Sequence, residues 1–221
     1  MSKSRGNVVD PDVLVERLGA DTVRMYLAFI GPYNEAGSYP WNPDSVAGIR
    51  RFLERVWRVA GMQQKKDLEQ LENPLHKTVK KVGDDIAAMK FNTAISALMI
   101  FLNAVEKERG IGEGQWGVFL KLLAPFAPHI AEELWENAGN KRSIHTEKWP
   151  AYDASKLRDA TARIAIQING KTRGEAEVPT GADREAQEKA AREAVAARLE
   201  GKKVVRTIVV PGRLVNFVLE A

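Results

Sequence analysis

The sequence of 221 residues contains no cysteine and only three histidines. Without cysteine the chain forms no disulfide, and it has neither a thiolate zinc site nor a cysteine nucleophile. No apolar run approaches the ~20 residues that a membrane-spanning helix needs, and no signal-peptide pattern opens the chain. We therefore expect a protein of the reducing cytoplasm that does not associate with a membrane.

The residues that are present indicate a globular protein. Hydrophobic residues make up 44% of the chain and charged residues 28%, which are ordinary values for a folded domain. The length suffices for one large or two modest domains. The formal net charge of +4 mildly favours an anionic partner but decides nothing alone.

The opening residues have the composition of a short anion-binding loop that leads into a helix. Gly6 permits a turn, and Lys3 and Arg5 bring two cations within reach of one anion such as a polyphosphate. Asp10 and Pro11 are typical of a helix N-cap and first helical position. A basic tail without a ligand has a similar composition, so the residues alone leave both interpretations open.

Helical periodicity dominates the chain as far as residue 139, and Asp21 is predicted to cap one of the first helices. Asn42 with Pro43, and Asn73 with Pro74, predict two further helix starts by the same cap-plus-proline signal. We predict an antiparallel helical bundle over 42–139. The inward-facing stripe of its first helix is predicted to contain Ile49, Phe52, Leu53, Val56, Trp57 and Ala60.

Two groups of cations lie on predicted outer faces of these helices. The first group consists of three arginines spaced at i, i+4 and i+7, with one further arginine before them. The second group is a cluster of lysines. They are Arg50, Arg51, Arg55 and Arg58, and then Lys77, Lys80 and Lys81. Glu54 can neutralise part of the first group. Such cations either contact a nucleic-acid backbone or belong to a solvated helix face, and the residues alone leave both interpretations open; the resemblance described below favours contact with a nucleic acid.

One histidine, His129, begins an apolar helix. Glu132 and Glu133 are the only ligand-type residues near it in sequence, so we predict a local hydrogen bond at the helix start and no metal site.

After a predicted linker over 140–160 the periodicity changes from helical to alternating. Asn169 and Gly170 form a strong hairpin signal, a helix is predicted over 183–199, and a second hairpin turns at Pro211 and Gly212. The order ββαββ predicts a small α+β domain over 161–221, with one helix packed on an antiparallel sheet. The whole chain is therefore predicted to be mainly α.

The turns and strand ends of this small domain carry many cations. They either bind a folded RNA by its shape and phosphates or protect edge strands from aggregation, and both interpretations stay open. They are Lys171, Arg173, Lys202, Lys203, Arg206 and Arg213.

Several segments resemble the leucyl-tRNA synthetases, a family of class I aminoacyl-tRNA synthetases. Residues 1–11 resemble the second signature loop of that class, the KMSKS loop, without the lysine that normally precedes the methionine. The other segments have the sequences RFLERVWR (51–58), LAPFAPHIAEELW (123–135), INGKTRG (168–174) and IVVPGRLVN (208–216).

The resemblance implies an ATP-dependent ligase that activates leucine and transfers it to tRNA(Leu). It implies that Lys3 stabilises the departing pyrophosphate, that Ser2, Lys3 and Ser4 contact ATP, and that ATP binds with Mg²⁺ mainly in a catalytic half that this chain lacks. The expected partners are tRNA(Leu) and the N-terminal catalytic part of the same enzyme, and the expected assembly is a monomer.

The domains expected from the resemblance are the signature loop with a helical junction (1–41), a tRNA-binding bundle of the anticodon-binding type (42–139), a linker (140–160) and a tRNA-binding C-terminal domain (161–221). We expect the chain alone to be inactive. The alternative is a stand-alone, non-catalytic module for RNA binding or assembly, derived from such a synthetase.

Overall fold

The computed structural model describes residues 9–33, 39–159 and 161–220. The chain divides into two compact units, the first ending at Leu157 and the second beginning at Arg158. The first unit is built from helices, and the second contains a four-stranded sheet with two helices. The prediction of a mainly α chain is confirmed. Across the described ranges, no helix is both long and apolar enough to cross a membrane.

Local capping begins two helices where the sequence predicts. Asp10 Oδ1 accepts a hydrogen bond from the N–H of Asp12 at 3.0 Å, with Pro11 as the first helical residue. Asn42 Oδ1 accepts from two successive N–H groups at 2.9 and 3.3 Å, directly before Pro43. These side chains satisfy amides that have no partner within the helix. The first three helices are α1 (Pro11–Leu18), α2 (Ala20–Phe29) and α3 (Pro43–Val59).

Helix α4 (Glu69–Ala87) begins before the predicted start at Asn73, and Pro74 lies inside it. The Oε1 atom of buried Gln115 accepts the N–H of Leu68 at 3.0 Å, and its Nε2 donates to the Leu68 carbonyl at 2.7 Å. The predicted start is wrong because a side chain from a distant segment, rather than a local cap, fixes the residue before the helix.

The rest of the first unit contains three longer helices. It also contains two short strands, which the sequence did not predict. The strands β1 (Gln63–Gln64) and β2 (Ile111–Gly112) pair in parallel. The helices are α5 (Phe91–Glu108), α6 (Glu113–Leu123) and α7 (Pro128–Asn137). Short 3-10 helices cover Ala60–Met62, Ile144–Thr146 and Ala154–Leu157.

One hydrophobic core contains side chains from every helix from α2 through α7. Ile49, Phe52 and Val56 of α3 are almost completely buried, as their spacing predicts. Trp57 is the exception, because its side chain is 51% exposed. At about 100° per residue, Trp57 lies roughly 80° around the helix from Ile49, at the edge of the apolar stripe.

The second unit has the chain order strand, strand, two helices, strand, strand. Asn169 and Gly170, with φ of +49° and +76°, form the predicted hairpin turn. The predicted single helix is divided at Val195, whose backbone is not helical. The elements are β3 (Thr161–Ile168), β4 (Lys171–Pro179), α8 (Arg184–Ala194), α9 (Ala196–Leu199), β5 (Val204–Val210) and β6 (Leu214–Leu219).

The sheet order is β4-β3-β6-β5, and β3 and β6 run parallel. The predicted antiparallel sheet is therefore wrong, because the helical connection brings the last strand beside the first in the same direction. Ile164 and Ile166 of β3 face the helices together with Val215 and Phe217 of β6, and all four are fully buried.

The predicted linker packs on the first unit over most of its length. Ser143 Oγ donates to Glu132 Oε2 at 2.9 Å, and the N–H of Asp153 donates to His76 Nδ1 at 3.0 Å. The division between the units falls after Leu157, near the end of the segment that the composition marks as a linker.

Candidate nucleic-acid interface

The residues assigned to ATP by resemblance, Ser2, Lys3 and Ser4, lie outside the described residues. The structure describes the α1–α2 pair that follows them. No residue of α1 is fully buried, whereas α2 contributes Val23, Met25 and Tyr26 to the buried interior. The α1–α2 pair is therefore attached to the rest of the first unit mainly through α2.

Helix α2 is fastened to the start of α7 by the buried carboxylate of Asp21. That carboxylate accepts the N–H of His129 at 3.3 Å and of Ile130 at 2.7 Å, and it lies 2.8 Å from His129 Nδ1. Arg24 also donates to the Pro125 carbonyl at 3.0 and 3.3 Å. Asp21 thus caps α7, and the prediction that it caps its own helix is wrong.

The predicted local hydrogen bond of His129 is wrong, because its Nδ1 atom lies 2.8 Å from the carboxylate of Asp21, a residue distant in sequence. In the described part of the chain, no cluster of three or more His, Asp or Glu side chains could hold a metal ion.

The arginines of α3 differ in how far they are neutralised. Arg50 Nε lies 2.8 Å from Glu54 Oε1, and its Nη1 donates to the Leu18 carbonyl at 2.9 Å. Arg55 donates to both oxygens of Glu106, at 3.0 and 2.6 Å. Arg51 and Arg58 are exposed, and no acidic side chain among the described residues lies within 4.0 Å of their charged nitrogens.

The Arg55–Glu106 pair connects α3 to α5. The hydrogen bond from Arg55 holds the pKa of the Glu106 carboxyl below its ordinary value, against an opposing contribution from burial. The same bond raises the pKa of Arg55. Arg58 adds a smaller electrostatic contribution that also lowers the pKa of Glu106. Arg55 is therefore engaged inside the protein, and it offers a ligand less free charge than Arg51 does.

The lysines of α4 are also engaged in part. Lys80 pairs with Asp84, and Lys81 pairs with Asp85, in each case one helical turn away. The bond to Asp84 raises the pKa of Lys80. Lys77 lies half-buried on the same helix. Lys80 and Lys81 therefore have intramolecular counter-charges.

The second unit brings four cations around one cleft of about 490 Å³, which we call the cationic cleft. All four side chains are exposed. Within the described residues, no acidic side chain lies within 4.0 Å of their charged nitrogens. The four cations are Lys171, Arg173, Arg198 and Lys202, and Ile168, Asn169 and Leu219 complete the lining.

The hairpin turn beside the cleft is held by its own side chain. Asn169 Oδ1 accepts the N–H of Leu219 at 2.8 Å, and the N–H of Gly170 donates to Asn216 Oδ1 at 3.1 Å. These bonds tie the β3–β4 turn to β6. They hold the backbone of the residues that follow the turn, so hydrogen bonds at this end of the sheet support the cleft.

A register shift places Arg173 at the cleft. Ile166 pairs with Gly174 and Gln167 with Thr172, so Arg173 is the extra residue of a β-bulge. A bulge redirects the side chain of the strand that carries it. The sequence analysis missed Arg198, although its i, i+4 spacing to Lys202 across the end of α9 could have indicated it.

Three further predicted cations lie elsewhere on the second unit. Lys203 Nζ lies 3.1 Å from Glu220 Oε1. Arg206 on β5 and Arg213 in the turn before β6 are exposed, without an acidic partner among the described residues. Residues 158–221 hold twelve cationic and nine anionic side chains, so three of the four net positive charges of the chain lie in the second unit.

A separate apolar cavity of about 790 Å³ lies in the first unit, between the start of α2, the middle of α3 and the start of α7. Exposed Trp57 lines it together with Arg50, His129 and Glu133. Three carboxylates line this cavity and oppose anion binding, so the cationic cleft is the better candidate site for a polyanion.

The chain is similar in sequence to tRNA ligases. A family model described as the anticodon-binding domain of tRNA ligase matches residues 116–189. The leucine–tRNA ligase of Herpetosiphon aurantiacus is 46% identical over 234 aligned residues that include the whole of this chain. This chain corresponds to a C-terminal portion of the leucine–tRNA ligases. The leucine–tRNA ligase of Chlorobium chlorochromatii is 43% identical, again over the whole chain.

A solved structure agrees with the sequence comparison. The LeuRS of Agrobacterium radiobacter K84, in a crystal structure of its ternary complex with tRNA and LeuAMS, superposes with a TM-score of 0.70 and 29% identity. The match covers 100% of this chain and 31% of that protein. The chain likewise spans 28% of the length of each of the two ligases above.

Proposed function

We propose that this chain forms the tRNA-binding portion of a leucine–tRNA ligase, which activates leucine with ATP and transfers it to tRNA(Leu). The helices over 42–139 act as an antiparallel bundle of the anticodon-binding type, and residues 161–221 act as a second tRNA-binding domain. ATP and Mg²⁺ bind mainly to the catalytic part, which is the partner of this chain within one cytoplasmic, monomeric enzyme.

The observation that carries this proposal is the cationic cleft in a chain that matches leucine–tRNA ligases over its whole length. Four cations for which the described residues supply no acidic partner, held at one end of the sheet, suit a phosphate backbone because each contact releases a counterion from the RNA. Arginine forks also fit phosphate oxygens in pairs. The solved LeuRS relative was crystallised with tRNA, which supports the same partner here.

The test replaces two cleft cations, Lys171→Ala with Arg198→Ala, and measures tRNA(Leu) binding over a series of salt concentrations. At about 1 kcal/mol for each contact, we expect roughly 25-fold weaker binding. We also expect the slope of log affinity against log salt to decrease by about 1.5 units for the two lost phosphate contacts.

The matched control is Arg184→Ala with Lys189→Ala, which removes one arginine and one lysine from exposed positions of the second unit outside the cleft. We expect the control to lose much less affinity and to keep most of the slope. Equal losses in both variants would mean that net charge alone attracts the RNA, and the cleft assignment would then be wrong.

A further inference from the structure

The apolar cavity in the first unit has the dimensions of a ligand site. Its volume of about 790 Å³ lies within the range of roughly 300–1,000 Å³ that small-molecule sites occupy. Its aliphatic lining comes from Leu18 of α1, Leu53 of α3 and Ile130 of α7. All three side chains belong to the hydrophobic core of the unit or pack against it. The packing of three helices therefore shapes the cavity.

Trp57 adds an exposed aromatic ring to this lining. Among the described residues, no cation lies over the Trp57 ring and no second ring stacks against it. Trp135 in the same unit differs, because Lys121 Nζ lies 5.1 Å from the centre of its ring. The face of an exposed indole attracts cations. The Trp57 ring is therefore available to a cation that binds in the cavity.

Glu133 adds a carboxylate to the same lining. Its Oε1 atom accepts a hydrogen bond from Asn137 Nδ2 at 3.4 Å. No charged nitrogen of a Lys, Arg or His side chain in the described ranges lies within 4.0 Å of its carboxylate oxygens. The other two carboxylates of the lining are engaged, since Asp21 caps α7 and Glu54 pairs with Arg50. Glu133 is therefore the carboxylate that can pair with a bound cation.

Arg50 is the arginine of the lining, and its charge is already compensated. Its Nε lies 2.8 Å from Glu54 Oε1, and its Nη1 donates to the last carbonyl of α1 at 2.9 Å. Arg51 and Arg58 of the same helix do not line the cavity. With His129 neutral, one arginine faces three carboxylates, so the lining favours a cation over an anion.

We propose that this cavity binds a small alkylguanidinium cation. The planar guanidinium group stacks on the ring of Trp57 and donates to the carboxylate of Glu133. The alkyl chain lies along the aliphatic lining, as the stems of Arg and Lys side chains do on apolar surfaces. An alkylammonium has a compact, strongly hydrated charge and binds more weakly. The inference does not depend on tRNA binding, because the cationic cleft belongs to the second unit.

The probe is n-butylguanidinium, and its binding to the full chain is followed by saturation-transfer difference NMR. We expect a Kd on the order of 1 mM for a cation of this size. N-butylurea has the same shape without the charge, and we expect it to bind roughly tenfold more weakly because it loses the ring and carboxylate interactions. No binding of the probe, or equal binding of the two compounds, would overturn the cation site.

Four variants locate the probe. Glu133→Gln and Trp57→Leu each remove one proposed contact and should each weaken binding about three- to fivefold. The matched controls are Glu136→Gln, on the same helix outside the cavity, and Trp149→Leu, at a second exposed tryptophan of the first unit. We expect neither control to change the affinity. The indole N–H signal of Trp57, identified by its absence from Trp57→Leu, should shift as the probe is added.

Two results with these variants would contradict the assignment. Unchanged affinity in both test variants, or equal losses in the controls, would mean that the probe binds elsewhere. Weaker tRNA(Leu) binding by Trp57→Leu together with unchanged probe binding would indicate that Trp57 stacks on an RNA base, and it would overturn the cation site.

An arginine side chain from the catalytic part of the ligase has the same chemistry as the proposed ligand. A chimaeric ligase, in which this chain replaces the corresponding part of the Herpetosiphon aurantiacus enzyme, distinguishes the two sources. Probe binding that persists in the chimaera and is weakened by Glu133→Gln supports a free ligand. Loss of probe binding there would indicate that a side chain of the enzyme supplies the cation, and the free-ligand assignment would be wrong. The probe experiments need no tRNA, so their failure leaves the proposed function untouched.

Discussion

At the scale of single residues, Asp21 shows how one side chain can join two helices. Its carboxylate serves two backbone N–H groups of α7 and the ring of His129. Removing a buried acceptor leaves these donors without a partner, which costs more than losing an exposed cap. We predict that Asp21→Ala lowers the free energy of unfolding by about 2 kcal/mol, as measured by urea denaturation.

Asp10→Ala provides the control for this prediction. Asp10 also caps a helix, but α1 has no buried residue and the hydrogen bond is exposed. We expect a loss of about 0.5 kcal/mol or less for this variant. Similar losses in the two variants would contradict the idea that Asp21 acts through the α2–α7 contact.

At the scale of elements, the link between α3 and α5 should make stability depend on pH. The folded-state pKa of Glu106 is lowered from its ordinary value of 4.5. The stability that the Glu106 carboxylate contributes is therefore fully present above pH 4.5. The contribution is lost as the pH falls through the lowered folded-state pKa, because protonation removes the charge that Arg55 stabilises. Glu106→Gln should therefore cost about 1 kcal/mol at pH 7.

The measurement is the difference in unfolding free energy between the unmodified chain and Glu106→Gln from pH 7 downward. We expect this difference to be constant above about pH 4.5 and to shrink in more acidic solution. Glu54→Gln, which removes a more exposed partner of Arg50, should cost less at pH 7. A difference for Glu106→Gln that grows on acidification would have the wrong sign and would refute the assignment.

At the scale of the whole molecule, the proposed enzyme joins chemistry in one part to RNA binding in another. Lys3 lies outside the described residues, and its role stays a prediction from resemblance. A chimaera tests it, with this chain replacing the matching 28% of the Herpetosiphon aurantiacus ligase. We predict leucine-dependent exchange between ATP and pyrophosphate in the chimaera, and a loss of about 100-fold or more with Lys3→Ala, because a positioned cation stabilises developing charge.

The same chimaera separates catalysis from RNA binding. Lys3→Ala should leave tRNA affinity unchanged, whereas the cleft variant Lys171→Ala with Arg198→Ala should weaken tRNA binding and leave the exchange reaction intact. A Lys3→Ala chimaera with full exchange activity would remove the catalytic assignment without touching the tRNA-binding proposal.

Much of the local structure could be predicted because its causes are local. The Asn42–Pro43 cap, the Asn169–Gly170 turn and the inward stripe of α3 each depend on residues within a few positions of one another. The predictions failed where a distant partner intervened. Gln115 binds the residue before α4, which begins earlier than predicted, and Asp21 caps α7 rather than its own helix.

The sequence by itself determined the helical and alternating segments, the turns and the family, because spacing and short motifs carry that information directly. Only the tertiary structure decided which cations remain available to a ligand. Arg55 and Lys81 have acidic partners, whereas Lys171, Arg198 and Lys202 meet at one cleft. The charge of a side chain follows from its residue type, but whether that charge is neutralised depends on the groups that folding brings within a few ångströms of it.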